Sequence, residues 1–274
     1  MRLGWSSRPV EVHRLQAAAA VGQIGLMQAY EHALKGLGCG SAMIMLTHED
    51  LADRQRYLNA RATLKTLTDV SVVPIINEND TVATDEIRFG DNDRLAARVG
   101  GMVGADLLVL LSDIDGLYTG NPKTETSAEH LPLITTGITP EVEAMAGVER
   151  SAYSNGGMVT KLAAAKIALG AGCAMIIADG SGLRPLKALR EGAKATLFKP
   201  ALSRHSARQA WLVGALSGNG VLVLDDGAAR AVRQGKSLLP AGVSQVDGVF
   251  GRGDTGQLRG LDGSDIGRGI AIHD

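Results

Sequence analysis

Three times in the first two-thirds of this chain, a glycine ends a helical stretch and an apolar strand begins within a few residues. The joints are Gly38-Cys39, Gly104-Ala105-Asp106 and Gly170-Ala171-Gly172-Cys173. Glycine at such a place supplies the left-handed turn that closes a helix. Repeated helix-to-strand joints favour parallel strands, because each return path is occupied by a helix. The runs Ser41–Leu46, Val72–Ile76, Leu107–Leu111 and Ala174–Ala178 are short and apolar, as strands covered on both faces are. Helices are expected over Val10–Leu37, from Leu51 to Leu67 after the box Thr47-His48-Glu49-Asp50, over Arg94–Val103, more weakly over Glu141–Ala146, and over the alanine-rich Lys161–Leu169. The fold class is therefore α/β, a mostly parallel sheet covered by helices on both faces.

The pattern changes near Lys199. Beyond it, short β-like runs at Val221–Leu224 and Gly242–Val249 alternate with Gly, Asp and Ser turns. This organisation predicts a first domain over 1–200 and a small β-rich domain over 201–274. The tail from Leu202 carries eight Lys or Arg against seven Asp or Glu, and the whole chain has a net charge of −1. Neither is the electrostatic footprint of a nucleic-acid or anionic-membrane binder. Cys39 and Cys173 each precede an apolar strand without metal-ligand spacing, so buried free thiols in a reducing compartment are expected. Met1–Val12 lacks the apolar core of a secretory signal, and the apolar run Ala17–Leu26 is broken by Gly22 and Gln23. A cytoplasmic protein is expected, and the sequon Asn79-Asp80-Thr81 is then inert.

Two polar clusters stand at edges where ligands gather. Asn77, Glu78, Asn79 and Asp80 follow a buried strand, at the end where open α/β sheets bind small molecules. Asp91, Asn92 and Asp93 sit just ahead of a helix, where an Asp can act as its cap. Either cluster alone is also what an ordinary turn would carry. Together they suit one small zwitterion. A third feature is the glycine-bearing run Ser154-Asn155-Gly156-Gly157-Met158-Val159-Thr160-Lys161, leading into a helix. Its backbone N–H groups and Lys161 suit a polyphosphate, although the Walker A spacing is absent and a plain helix start is the competing reading. Finally, Leu107–Leu111 runs into Ser112-Asp113-Ile114-Asp115-Gly116, with Tyr118 placed to flank a base; a hairpin turn without ligand is the alternative. The six histidines form no metal-like pair and no hydrolase order, and Gly-Asp-Thr-Gly at 253–256 reads as a β-turn.

The segments VVPIINENDTVATDEIRFGDNDRLAA, LLVLLSDIDGLYTGNP and NGGMVTKLAAA, in this order, resemble the glutamate 5-kinases of the amino acid kinase family. The tail with SLLPAGVSQVDGVFGRGD is similar to the start of a PUA domain. The resemblance implies ATP-dependent phosphorylation of the glutamate side-chain carboxylate, the first step of proline synthesis, with Mg²⁺ bridging the ATP phosphates. It implies that Asp80 and Asn92, with Asn77 beside them, contact glutamate. Ser112, Asp113 and the loop Asn155, Gly156, Gly157, Met158, Val159, Thr160 and Lys161 would contact ATP, with Lys161 and Asp113 as the catalytic pair. It also implies a homo-oligomer and at most a weak RNA contact through the tail. Compared with the family, the chain lacks a leading strand with a glycine loop and its phosphate lysine, a Ser-Gly-Ala turn, and the end of the PUA domain. On that ground little glutamate kinase activity is expected of these 274 residues. Two other readings stand beside this one: a kinase of the same fold acting on aspartate, acetylglutamate or a nucleotide, and a non-catalytic, RNA-associated degenerate copy.

Overall fold

The computed structural model describes residues 5, 9, 11–82, 92–147, 157–201, 220–248 and 255–270. The chain divides into two compact units, Met1–Arg204 and His205–Asp274.

In the first unit, helix α1 (Val12–Lys35) leads to strand β1 (Gly40–Leu46). The anticipated capping box forms. The Asp50 N–H donates to Thr47 Oγ1 at 3.1 Å, and the Thr47 N–H donates to Asp50 Oδ2 at 2.8 Å. It opens a short helix, α2 (His48–Ala52), and not one reaching Leu67, because Asp53 then caps a second helix, α3 (Arg54–Asp69), through the Arg56 N–H at 2.8 Å. Strand β2 (Val72–Glu78) pairs in parallel with β1, Gly40 against Val72 through Leu46 against Glu78. Pro74 lies within β2 and has no N–H for a second neighbour, which suits an edge strand. Helix α4 (Asn92–Val103) then crosses to strand β3 (Leu107–Ser112).

A second sheet is built on β3. The short strands β4 (Leu117–Tyr118) and β5 (His130–Leu131) pair as a small antiparallel ribbon. They are followed by β6 (Leu133–Ile134), helix α5 (Pro140–Ala144), helix α6 (Met158–Gly170), strand β7 (Ala174–Asp179), helix α7 (Pro185–Arg190) and strand β8 (Ala195–Phe198). The order across the sheet is β3-β7-β8-β6, with β3–β7 and β6–β8 parallel and β7–β8 antiparallel. The glycine joints are as anticipated: Gly38, Gly104 and Gly172 take φ of +73°, +69° and +73°. Among the described residues the mainly parallel pairing is thus shared between two sheets.

Helix α4 serves both. Ala97 belongs to the core of Leu110, Leu162, Met175, Ile177 and Phe198, whereas Leu95, Val99 and Met102 complete the core of Leu46, Leu51 and Leu64. Cys173 is buried as anticipated, but Cys39 is only half-buried.

The turn after β3 is held from across the sheet. Thr196 of β8 is fully buried; its Oγ1 accepts the Leu117 N–H at 2.7 Å and donates to the Leu131 carbonyl at 2.6 Å. Gly116 has φ +153°, and a Cβ there would lie 2.5 Å from both His130 Nε2 and Thr196 Oγ1. Only glycine fits. Thr196→Val keeps the volume but takes the partner from the buried Leu117 N–H and the half-buried Leu131 carbonyl, at about 1–3 kcal/mol. Urea denaturation is expected to show a loss of that size with an unchanged m-value.

The second unit is a four-stranded sheet in the order β10-β9-β11-β12, made of β9 (Gly220–Leu224), β10 (Val243–Gly248), β11 (Thr255–Gly260) and β12 (Asp265–Ile270). Helix α8 (Asp226–Arg233), capped by Asp225 on the Ala228 N–H at 2.7 Å, contributes Ala229 to a core with Leu224 and Leu258. Of the Gly-Asp-Thr-Gly run, Thr255 and Gly256 begin β11 and the first two residues lie outside the described ones. Among the described residues, no helix is long and apolar enough to cross a membrane.

Candidate active site

Parallel pairing carries β2 two residues beyond its apolar run, so Asn77 and Glu78 end the strand. The Asn79 N–H then donates to the Leu46 carbonyl at 2.8 Å, and Thr81 Oγ1 donates to Asn79 Oδ1 at 2.6 Å. This tight turn sets Asp80 half-buried at the carboxyl edge of the sheet. No side chain among the described residues bonds its carboxylate, and burial holds its carboxyl above the usual Asp range.

Asn92, the first residue of α4, brings the second cluster to the first. Its Nδ2 donates to Asn77 Oδ1 at 3.0 Å, and Asn77 Nδ2 donates to Gln23 Oε1 of α1 at 2.9 Å. Three amides from α1, β2 and α4 therefore form one line. Asp91 lies outside the described residues, so its capping role is not part of this geometry.

The next residue of α4 turns to the other side. Asp93 Oδ2 accepts from Lys161 Nζ at 3.2 Å and from Thr160 Oγ1 at 2.9 Å. Both partners belong to α6, and Lys161 is only 7% exposed. Lys161, read from sequence as a point charge suited to a polyphosphate, is held in place at a helix start. Gly157 is the N-cap of α6 and has no side chain to cap it. The Thr160 N–H donates to the Gly157 carbonyl at 3.1 Å, which leaves the Met158 and Val159 N–H groups as those that could meet an anion. Met158 and Val159 lie in that turn, half-buried and exposed respectively, while Asn155 and Gly156 lie outside the described residues.

Ser112 and Asp113 arrive from the second sheet. Ser112 ends β3 opposite Asp179 of β7, its Oγ donates to Asp113 Oδ1 at 3.2 Å, and its carbonyl accepts the Gly180 N–H at 2.7 Å. Beside Asp179 opens a cavity of about 390 Å³, whose walls include Arg184, Lys187, Leu189 and Lys194. Tyr118 lies close by. Its hydroxyl donates to Asp115 Oδ1 at 2.9 Å, and Lys194 Nζ sits 3.8 Å from Asp115 and 5.6 Å from the ring centre. The ring expected to flank a base is thus also tied into a polar network.

Two members of the site escape sequence reasoning. Gln23 looks only like a break in an apolar run, and Asp93 like one more helix-start acid. The signal for Asp93 is its place directly after Asn92, since neighbouring helical residues face different ways. Gln23 offers a weaker one, a polar residue on the inner side of an amphipathic helix.

The model of the amino acid kinase family matches residues 2–179, and that of the PUA domain matches residues 220–274. The glutamate 5-kinase of Brucella anthropi is 54% identical over 272 residues, 99% of this chain and 72% of that protein. That of Jannaschia sp. is 59% identical over 256 residues, 93% of this chain and 69% of the other. That of Paracoccus denitrificans is 57% identical over 252 residues, 92% and 68% of the two chains. With similarity of this depth spanning α1, β2, α4, β3 and α6, the elements that carry the side chains described above, the chain belongs to the amino acid kinase family, among its glutamate 5-kinases.

Proposed function

We propose that this site transfers the γ-phosphoryl group of ATP to the side-chain carboxylate of L-glutamate. The observation that carries this reading is the pair Asn92 and Asp93: consecutive residues, one bonded to the strand-end cluster and the other to the start of α6. An amino-acid site and a phosphate site are thereby held against one helix end.

The chemistry needs little beyond position. A glutamate carboxylate is already ionised at neutral pH, with a reference pKa of about 4.3, so the nucleophile loses no proton. One carboxylate oxygen bonds to the γ-phosphorus as the bond to the β–γ bridging oxygen breaks, giving an acyl phosphate and ADP. Catalysis is then alignment and charge stabilisation. Asp80 receives the α-ammonium, and the second N–H of Asn92, with Asn77 behind it, faces the α-carboxylate. Lys161, fixed by Asp93, meets the charge on the transferring group. The first turn of α6, with Asn155 and Gly156 before it, cradles the phosphates, and Ser112 and Asp113 meet the nucleotide from the other sheet. No cluster of three or more His, Cys, Asp or Glu among the described residues is arranged as a metal cage. The nucleotide phosphates are the natural carrier of Mg²⁺, so MgATP is the substrate.

The test is a coupled ADP-release assay with MgATP and L-glutamate, D-glutamate, aspartate, N-acetylglutamate or UMP, run beside calorimetric titration of the same compounds. L-Glutamate is expected to bind most tightly and, at whatever rate these residues support, to release ADP fastest. A preference for N-acetylglutamate, which has no ammonium for Asp80, or for UMP would overturn the assignment.

A further inference from the structure

Helix α1 is 24 residues long and buries one side chain, which is polar: Gln23, 8% exposed. Leu15, Ala19 and Met27 on the same side are half-buried, and Ile24 and Leu26 are 58% and 44% exposed, so the most buried side chain of the helix is a polar one. The amide is half used. Oε1 accepts from Asn77 Nδ2 at 2.9 Å, whereas Nε2 is shielded from solvent and has no hydrogen-bond partner among the described residues. A buried amide donor without an acceptor is costly, and proteins keep few of them. Asn77, which grips the other end of this amide, stands three residues before Asp80. At most about 11 Å of extended backbone separates them. Around this strand end, among the described residues, lie a buried donor held by Asn77 and a carboxylate that no side chain bonds. Those are the complements of the two charges on the α-carbon of an amino acid.

We propose that Gln23 donates through Nε2 to the α-carboxylate of the amino-acid substrate, completing with Asp80 a clamp for the zwitterion. This inference rests on the amino-acid kinase reading above. Gln23 and Asn92 then supply one N–H to each carboxylate oxygen, and Asn77, bonded to both, sets their spacing. A bound α-carboxylate would accept from the donor that the protein's own groups leave unpaired among the described residues.

Two variants and one analogue test this. Gln23→Leu removes both functions of the amide at similar volume. Gln23→Glu keeps an oxygen for Asn77 but puts a negative charge where the donor was. 4-Aminobutyrate is glutamate without its α-carboxylate. Calorimetric affinities on the full chain are expected to show glutamate binding weakened about 10-fold in Gln23→Leu and at least as much in Gln23→Glu. ATP affinity is expected to hold, and the preference for glutamate over 4-aminobutyrate to collapse in both variants. Parent-like glutamate affinity in Gln23→Glu would reduce Gln23 to a buttress for Asn77 and overturn the proposal. So would equal losses for glutamate and 4-aminobutyrate, or losses that follow a drop in melting temperature. A parent chain that binds another α-amino acid in place of glutamate removes the substrate assignment but leaves the clamp to be read on that ligand. A parent chain that binds no α-amino acid overturns both.

Discussion

Lys161→Met is expected to lower phosphoryl transfer to glutamate by about 10²–10³, the scale of losing one preorganised charge-stabilising group. The same change strips Asp93 of its ammonium partner. Lys161 and Asp93 side chains are only 9% and 20% exposed, so the carboxylate left behind has Thr160 as its remaining contact and little water. That should destabilise the fold by about 2 kcal/mol, less than for a fully buried pair. Activity and stability separate in the double variant Lys161→Met/Asp93→Asn. It carries no orphan charge, and the amide oxygen can still accept from Thr160, so urea stability should largely return while ADP release stays low. If turnover returned along with stability, Lys161 would be a structural ion-pair member and the transferring phosphoryl would need another cation.

Asp80→Asn is expected to raise the KM for glutamate by about 10–150-fold, the equivalent of the 1.5–3 kcal/mol of a charge-assisted contact, with a much smaller change for ATP. A larger change for ATP would place Asp80 on the nucleotide side. The substitution should also stabilise the unliganded chain. Burial raises the carboxyl of folded Asp80 above its ordinary value of 3.8. A raised acid contributes stability that is complete below the ordinary pKa and is lost as the pH rises through the folded one. At neutral pH the ionised, partly desolvated carboxylate is therefore a net cost that asparagine avoids. Thermal melts should show the variant above the parent at pH 7, with the gap closing as the pH falls towards 3.8. Glutamate at a fixed high concentration should narrow or reverse the gap, because the parent binds it more tightly and gains more stability from it. A variant less stable than the parent at pH 7 would mean that the carboxylate already has a structural partner.

The class of fold was legible because it depends on strong local signals: the three glycine joints and four apolar runs each mark a helix-to-strand unit. The edges were less so. β2 and β3 run on through Asn77, Glu78 and Ser112, polar residues that read as loop but remain in register with Met45, Leu46 and Asp179. Neighbouring strands settle that, and a single strand's composition does not carry it. The helix expected from Leu51 to Leu67 is divided because Asp53 offers a second cap as good as Thr47. In the site, the two Asn/Asp clusters announced themselves through chemistry that suits a small charged ligand. Their union is the Asn92–Asn77 bond across 15 positions, and the rest of the site adds Gln23, 54 residues before Asn77, and Asp93 meeting Lys161 over 68 positions. Such pairings are properties of the packed α/β layers and leave no periodic trace along the chain.

The position of Asn92 and Asp93 on one helix has a mechanical consequence. Successive helical residues are offset by about 100° around the axis and about 1.5 Å along it. That offset is rigid, and α4 is anchored in both cores, by Leu95, Val99 and Met102 on one side and Ala97 on the other. A thermal shift of α4 therefore displaces acceptor and donor contacts together, as a common-mode error. Phosphoryl transfer is sensitive to the gap between the reacting atoms, where about 1 Å of misplacement can cost about 10²-fold. Such a gap is insensitive to where the pair stands and sensitive only to the difference between its members. One helix acts here as a gauge block between two substrates. The protein can breathe without losing alignment, whereas one residue inserted between Asn92 and Asp93 would turn a shared movement into a differential one.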